Sequence, residues 1–282
     1  FLASRFLLDG NSKVIEFGSN DGVLLRPMMD KGVNIVGFEP SDNISKIAIS
    51  RGCNVINDYF SINTVRQYCE ESDYDLVTSS NCFAHIDDIH SVVKGIKYVL
   101  KNDGHFSFEV HYGKNIIEEV QYDNVYHEHI YYYTVTSLKS LFEMHSMTIV
   151  DVIEIPIHAG SIRVIVKNSE EKYNNKIVNI LNDEEVLGIT SVSYYENFKS
   201  NVFRHKQELY NTLMQLKNEG YSIGAYGASG RANILCNFGQ LDEKIIDYII
   251  DESPERCNRF INNIPIYSLD KIDPKSDYIL VL

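Results

Sequence analysis

Residues 14–22 read VIEFGSNDG, and this stretch carries the strongest indication of the architecture. The apolar run Val14–Phe17 has the composition of a short buried strand. Two glycines, Gly18 and Gly22, follow at its carboxyl end, where the absence of a Cβ atom lets the backbone approach a ligand closely. The stretch therefore predicts the first strand and first turn of an α/β domain with a ligand site at the turn.

The rest of the first half continues this pattern of alternating strands and helices. Helical patterns separate further strand-like runs at Asn34–Phe38, Tyr74–Ser79 and His105–Val110. Such alternation predicts βαβ units and a mostly parallel sheet. Two β-rich runs, Thr148–Ile155 and Ser161–Val166, lie close together and predict an antiparallel pair at the edge of that sheet.

The second half begins with a polar helical region and then repeats the alternation. The region contains no proline and ends at Gly220, a residue that commonly stops a helix. A strand at Ser222–Tyr226, a glycine-rich turn, a helix and a strand at Ile245–Ile250 follow. We therefore predict an α/β protein with two Rossmann-like doubly wound domains, at residues 1–168 and 221–282, joined by a helical connection over 169–220.

Composition narrows the classes of partner and compartment. The net charge of −13 argues against a nucleic-acid partner, because binding to phosphate backbones needs a basic face. No apolar run approaches the roughly 18 residues of a membrane span. The five cysteines show no Cys-x-x-Cys spacing, which favours reduced thiols in a cytoplasmic protein over a zinc site. The chain opens at Phe1 without a Met and stops at Leu282 inside an apolar run, so we expect a fragment with an incomplete second domain.

Acidic residues flank the first glycine loop. Glu16 precedes Gly18, and Glu39 ends the next predicted strand, where a carboxylate suits the two hydroxyls of a ribose. The glycine spacing is not Gly-x-Gly-x-x-Gly, so a pyrophosphate is not the natural ligand. A Rossmann-like turn without a ligand and a nicotinamide enzyme remain alternatives.

The order of acid, glycine loop and second acid resembles the class I S-adenosylmethionine-dependent methyltransferases. The resemblance implies S-adenosylmethionine as cofactor, with its methionine part against the loop and its ribose on Glu39. The Ser79–Ile86 segment follows a later strand, where such enzymes place cofactor and substrate contacts. The cofactor-binding residues expected on this basis are Glu16, Gly18, Ser19, Asn20, Gly22, Glu39, Asn81 and His85.

Residues 123–133 read DNVYHEHIYYY and concentrate groups that can move protons. Eight of the nine histidines fall between His85 and His158, and imidazole is the side chain best suited to proton transfer near neutral pH. His127 and His129 would share one face of a strand and could hold a metal, but no third ligand stands at a recognisable spacing. They could also be hydrogen-bonded core histidines. We predict acid–base chemistry here and no metal site.

This run, together with residues 109–112 (EVHY) and 160–163 (GSIR), resembles the sugar C-methyltransferases, and the resemblance extends to the second glycine loop. It implies methylation of a carbon beside the keto group of a nucleotide-linked 4-keto-deoxysugar. It points to His129 as the base and Tyr126 as a hydroxyl partner, with Glu128 orienting a ring or binding sugar hydroxyls; the residues alone do not choose between His129 and His127. The substrate-binding residues implied in this half are Glu109, His111, Tyr112, Gly160, Ser161 and Arg163.

The second glycine loop, Gly224–Asn233, follows a strand and opens a helix, and this combination makes an anion site. Arg231 could add a charge-assisted contact. In the family, the second domain anchors the nucleotide-sugar, which implies substrate contacts at Tyr226, Ser229, Arg231 and Asp251. The alternative is a duplicate of the first fold that only shapes the cleft.

Full-length members of the resembled family carry a cysteine-rich zinc module ahead of the methyltransferase domain. That module is absent here, so zinc is expected only outside this sequence. Two other functions stay open: an O- or N-methyltransferase acting on another small metabolite, and an inactive nucleotide-sugar-binding protein. The sequence says little about oligomeric state and is compatible with a monomer.

Overall fold

The computed structural model describes residues 1–157, 160–271 and 276–282, and the chain forms two compact units. The first unit comprises Phe1–Asn115 and Glu128–Ile189, and the second comprises Ile116–His127 and Thr190–Leu282. The helical region predicted as a connection is shared between them. Ile177 belongs to the core of the first unit and Leu213 to the core of the second. Each of its two helices is thus held by the unit whose core its apolar face completes.

Seven strands form the sheet of the first unit: β1 Lys13–Phe17, β2 Asn34–Phe38, β3 Val55–Ile56, β4 Tyr74–Ser80, β5 Leu100–His111, β6 Thr148–Ile155 and β7 Ser161–Lys167. Their order across the sheet is β3-β2-β1-β4-β5-β7-β6. β7 runs antiparallel to both of its neighbours, and the pairings among β1 to β5 are parallel. The predicted strands and the antiparallel pair near the edge are confirmed.

The two faces of this sheet pack against separate cores. Ile15 and Phe17 of β1 join the larger cluster of buried side chains, whereas Val14 joins a second cluster. β4 is divided in the same way, with Val77 in the larger cluster and Leu76 in the second. Successive residues of a strand point to opposite faces. This double burial explains why apolar residues stand next to each other in β1, at Val14 and Ile15, and do not strictly alternate with polar ones.

The helices of the chain up to residue 189 are α1 Leu2–Arg5, α2 Leu25–Met29, α3 Asp42–Ser50, α4 Ile62–Tyr68, α5 Ile89–Val99, α6 Gly113–Glu118, α7 Val135–Glu143 and α8 Asn175–Leu187. α5 starts where the Asp88 side chain accepts the N–H of Ser91 at 3.0 Å. α7 starts with a capping box in which Thr134 and Ser137 exchange side-chain and backbone hydrogen bonds.

The second unit contains α9 Val192–Asn218, α10 Gly230–Gly239 and five strands: β8 Ile223–Tyr226, β9 Tyr248–Ile250, β10 Phe260–Ile261, β11 Ile264–Tyr267 and β12 Tyr278–Val281. The order is β10-β11-β9-β8-β12, with only the β10–β11 pairing antiparallel. The strand predicted from Ile245 begins at Tyr248, because the N–H groups of Ile245 and Ile246 bond to Asp242 in a tight turn. The predicted class, two doubly wound α/β domains, is confirmed. Among the described residues, no helix has the length and apolar character needed to cross a membrane.

Candidate active site

A cavity of about 710 Å³ lies beside the carboxyl ends of the central strands of the first unit. Here the order of the sheet reverses, since β1 leads to β2 on one side and β4 lies on the other. Open α/β sheets bind ligands in the crevice at this reversal. The cavity is walled by aromatic and polar side chains from four segments: Phe17, Phe38, Tyr59, Phe60, Ser61, Asn63, Cys82, His85, Asp87, Asp88 and Ser91.

Gly18 forms part of the cavity wall in a conformation that favours glycine. Its φ angle is +67°, and a Cβ atom added there would lie 2.8 Å from both Cβ and Sγ of Cys82. The N–H groups of Gly18 and Ser19 both donate to the Phe38 carbonyl, at 2.9 and 3.1 Å. The loop is therefore fixed against the end of β2 and presents bare backbone to the cavity. Gly22, with φ +86°, packs similarly against Cys53 and closes the turn.

Glu39 is buried at the end of β2 and is held by backbone donors. One carboxylate oxygen accepts the N–H of Asn20 at 3.0 Å, and the other accepts the N–H of Ser41 at 2.9 Å. Each oxygen keeps a further acceptor site. A rigid carboxylate with two spare acceptors suits a pair of vicinal hydroxyls, as a ribose offers.

Several buried polar atoms in this region have no hydrogen-bond partner within the protein. They include Glu16 Oε2, Ser19 Oγ and Asn81 Oδ1. Burial also raises the pKa of Glu16 from its ordinary 4.5 to about 8. Buried polar groups normally have partners, so such atoms are expected where a ligand completes the site. The unpartnered oxygens therefore fit a polar ligand that offers hydrogen-bond donors, and the ammonium group of S-adenosylmethionine is such a donor.

Three histidine rings meet next to this cavity. The ring centroid of His129 lies 4.9 Å from that of His85 and 5.1 Å from that of His111, and Tyr132 lies 5.9 Å away. His129 is 7% exposed. Nδ1 of His85 lies 2.7 Å from the carbonyl oxygen of Glu128, and a carbonyl can only accept, so Nδ1 carries the proton. Because His85 also lines the cavity, the structure connects the proposed cofactor site to His129.

The remaining predicted residues of this half lie on β5 and β7 or beside them. Glu109 and Arg163 face each other in register and form an ion pair, with Nε of Arg163 2.9 Å from the carboxylate. Tyr112 is 2% exposed, and its hydroxyl donates to Glu184 at 2.7 Å. Ser161 is 1% exposed and its hydroxyl donates to a backbone carbonyl. The hydroxyls of Tyr112 and Ser161 are thus both hydrogen-bonded within the fold.

Gly160 adopts φ +102°, and an added Cβ atom would lie 2.4 Å from the side-chain nitrogen of Asn115. His158, two residues before Gly160 in the sequence, lies outside the described residues. Close packing at Gly160 explains the glycine without assigning it a substrate contact.

The other predicted residues belong to the second unit. Tyr126 is partly buried and His127 is exposed. Arg231 pairs with Asp123, with 2.6 Å between Nε and the carboxylate. The Ser229 hydroxyl caps α10 by accepting the N–H of Ala232, and Tyr226 donates to Glu252 at 3.3 Å. The predicted anion-binding arginine is thus neutralised by a carboxylate from the unit's own first segment.

Asp251 ends β9 and accepts the N–H groups of Ala228 and Ser253, both at 2.8 Å, as well as a contact from Arg256. These donors lower the pKa of Asp251, although its burial works in the opposite direction. One amide of the second glycine loop therefore already binds this carboxylate. The N–H of Gly227 donates to the Ile250 carbonyl in addition. The N–H groups of Gly227 and Ala228 are therefore both used within the fold.

Sequence reasoning missed most of the cavity wall. Tyr59 and Phe60 follow the short strand β3, and Asp88 caps α5 at the rim. No local pattern marks these side chains as ligand contacts, since they converge only through tertiary packing. The capping position of Asp88 was the one available signal. Within the described residues, no group of three or more His, Cys, Asp or Glu side chains is arranged to hold a metal.

Comparison with known proteins agrees with this geometry. A family model described as methyltransferase domain matches residues 2–152, and one described as C-methyltransferase C-terminal domain matches residues 156–282. The C-methyltransferase NovU of Streptomyces niveus is 29% identical over 282 residues, covering 98% of this chain and 67% of that protein. The ubiquinone biosynthesis O-methyltransferase of Actinobacillus pleuropneumoniae is 28% identical over 102 residues, covering 33% of this chain and 42% of that protein.

Among solved structures, an S-adenosylmethionine-dependent methyltransferase from Archaeoglobus fulgidus is 13% identical, with a TM-score of 0.48 over 59% of this chain and 91% of that one. The methyltransferase domain model spans more than half of the chain, including the glycine loop, Glu39 and the histidine cluster. The chain therefore belongs to the methyltransferase domain family and is a class I S-adenosylmethionine-dependent methyltransferase.

Proposed function

We propose that this enzyme methylates a carbon beside the keto group of a nucleotide-linked 4-keto-deoxysugar. The observation that carries the proposal is the buried His129, whose ring lies against His85 on the wall of the cavity. Methyl transfer to oxygen or nitrogen can proceed without removal of a C–H proton, whereas transfer to carbon requires a base. The similarity to NovU and the match to a C-methyltransferase C-terminal domain support the same choice.

His129 is the base in this proposal. A C–H group beside a ketone is weakly acidic, and a neutral imidazole can accept its proton while the charge moves onto the ketone oxygen. The bound cofactor would supply an electrophilic methyl group for the resulting nucleophilic carbon. Tyr126 would donate a hydrogen bond to the enolate oxygen, because stabilisation of that developing charge lowers the barrier. The carbonyl of Glu128, fixed by His85, would hold the neighbouring backbone in place.

The phosphate groups of the substrate are assigned to the second unit, at Ser229 and Arg231. Support comes from the position of these residues at the start of α10, where helix N–H groups favour anions. Because Arg231 already pairs with Asp123, an incoming diphosphate would compete with that carboxylate. Glu109 and Arg163 would contact the sugar in the first unit, with Arg163 partly covered by the Phe1 ring at 4.2 Å.

The base is tested by exchange of the sugar C–H hydrogen with solvent deuterium in the absence of cofactor. We expect exchange in the wild-type protein and its loss in His129→Gln. His127→Gln is the matched control, since it removes a neighbouring imidazole that the proposal does not use as base. Methyl transfer that survives in His129→Gln, together with no exchange in the wild-type protein, would instead favour an O- or N-methyltransferase.

A cytoplasmic location and a small-molecule substrate complete the proposal. All five cysteines are unpaired, which suits a reducing compartment. The net charge of −13 does not favour nucleic acid as a partner.

A further inference from the structure

Glu184, on α8, is a fully buried carboxylate that the proposed chemistry does not use. Its exposed fraction is 0%. One oxygen accepts the Tyr112 hydroxyl at 2.7 Å and the Val135 N–H at 2.8 Å. The other accepts both the N–H and the hydroxyl of Thr136, at 2.7 and 2.5 Å. Four donors thus converge on one carboxylate. Burial of a carboxylate costs free energy unless hydrogen bonds replace those that it made with water.

The four donors belong to two structural elements. Tyr112 directly follows His111, the last residue of β5. Val135 and Thr136 form the first turn of α7, where unpaired N–H groups favour a carboxylate. Glu184 therefore ties the carboxyl end of β5 to the amino end of α7.

The segment that contains His129 enters α7 at this same point. Its backbone is fixed at Ile130, which donates to the Ala84 carbonyl at 3.0 Å, beside His85. It is fixed again where Gly113 donates to the Tyr133 carbonyl at 2.7 Å, beside Tyr112. The segment is thus anchored next to both histidines that contact His129, and the second anchor borders the residues bound by Glu184.

We infer that Glu184 is a positioning residue that holds His111 and His129 in register with each other through Tyr112 and the first turn of α7. The inference rests on the proposed role of His129 as base. It also explains why α8 packs with the first unit although its sequence falls in the C-terminal family match. A rigid supporting network of this kind keeps a catalytic imidazole within the narrow range of positions that proton transfer requires.

The test compares Glu184→Gln with Asn168→Ala, using a nucleoside diphosphate 4-keto-deoxysugar as the exchange probe. Asn168 anchors the opposite end of β5 by donating to the Leu100 and Lys101 carbonyls, so it controls for general loss of strand support. We expect Glu184→Gln to slow solvent deuterium exchange by about tenfold or more, the equivalent of 1.4 kcal/mol in the barrier. Its affinity for S-adenosylhomocysteine should stay within about twofold, and the His129 imidazole resonances should shift.

Tyr112→Phe provides a milder version, because it removes one of the four donors and leaves the carboxylate otherwise bound. Tyr112→Phe should slow exchange severalfold. It should also remain folded, so it provides the test if Glu184→Gln does not fold. The inference would be overturned if Glu184→Gln or Tyr112→Phe exchanged at the same rate as Asn168→Ala and its His129 resonances did not shift. His129→Gln separates the two claims. If His129→Gln retains exchange, the proposed base is wrong. If His129→Gln is inactive while Tyr112→Phe exchanges at the wild-type rate, only the role of Glu184 is rejected.

Discussion

Substitution of Gly18 by alanine adds only one methyl group, but it should destabilise the fold and disrupt the cofactor site. The backbone at this position has φ +67°, and the new Cβ atom would meet Cβ and Sγ of Cys82 at 2.8 Å. Left-handed backbone costs a non-glycine residue roughly 1–2 kcal/mol. Displacement of Cys82 in a packed wall adds roughly 1–3 kcal/mol. We therefore expect a total loss of about 2–5 kcal/mol in the free energy of unfolding.

Gly32→Ala is the matched control. Gly32 has φ +80°, but no heavy atom lies within 4 Å of an added Cβ atom, so only the backbone cost should appear. The difference between the two variants isolates the contact with Cys82. Urea unfolding followed by circular dichroism measures both free energies by linear extrapolation.

Binding of S-adenosylhomocysteine by calorimetry completes the comparison. Because Gly18 and Cys82 both line the cavity, Gly18→Ala should weaken binding at least about tenfold, whereas Gly32→Ala should leave it unchanged. Equal unfolding free energies for the two variants would refute the close packing. Destabilisation of Gly18→Ala with unchanged affinity would refute the placement of the cofactor against this loop.

Three further predictions address charges in the two units. Since burial raises the pKa of Glu16 to about 8, the folded state holds a proton that the unfolded state releases above pH 4.5. The free energy of unfolding of the wild-type protein, relative to that of Glu16→Gln, should therefore fall as pH rises from about 4.5 to 8, by at most about 1.4 kcal/mol per pH unit. Urea titrations at several pH values measure it. A difference between the two proteins that does not change with pH would contradict the buried proton. Glu39→Gln should weaken binding of S-adenosylhomocysteine about tenfold, since hydrogen bonds to charged groups contribute roughly 1.5–3 kcal/mol, and unchanged calorimetric affinity would exclude the ribose contact. Asp123→Asn should tighten binding of a nucleoside diphosphate by releasing Arg231, whereas Arg231→Gln should weaken it; the same sign for both would reject competition at this pair.

Much of the fold was predictable because strand and helix patterns are local. β1, β2 and β4 are buried on both faces, so each contains adjacent apolar residues that indicate a buried strand directly. The start of β9 was harder to predict from the sequence pattern. Ile245 and Ile246 are as apolar as strand residues, but their N–H groups are used in a turn, and composition alone carries no sign of that.

Parts of the candidate site were predictable where the backbone geometry of the fold restricts which residue can occupy a position. Gly18 and Glu39 sit at strand ends whose geometry follows from the doubly wound topology. Glu184 was not predictable, because it lies in a polar helix whose pattern gives it no special position. Its donors Tyr112 and Thr136 are 72 and 48 residues away, and only the folded chain brings them together.

The site of methylation tests the central claim most directly. The protein would be incubated with S-adenosylmethionine carrying a ¹³C-labelled methyl group and a nucleoside diphosphate 4-keto-deoxysugar, and the product examined by carbon NMR. The account predicts a methyl signal in the region of carbon-bound methyl groups, correlated with the position beside the ketone, and its loss in His129→Gln. A methyl signal in the oxygen-bound region, or transfer that survives His129→Gln, would contradict it.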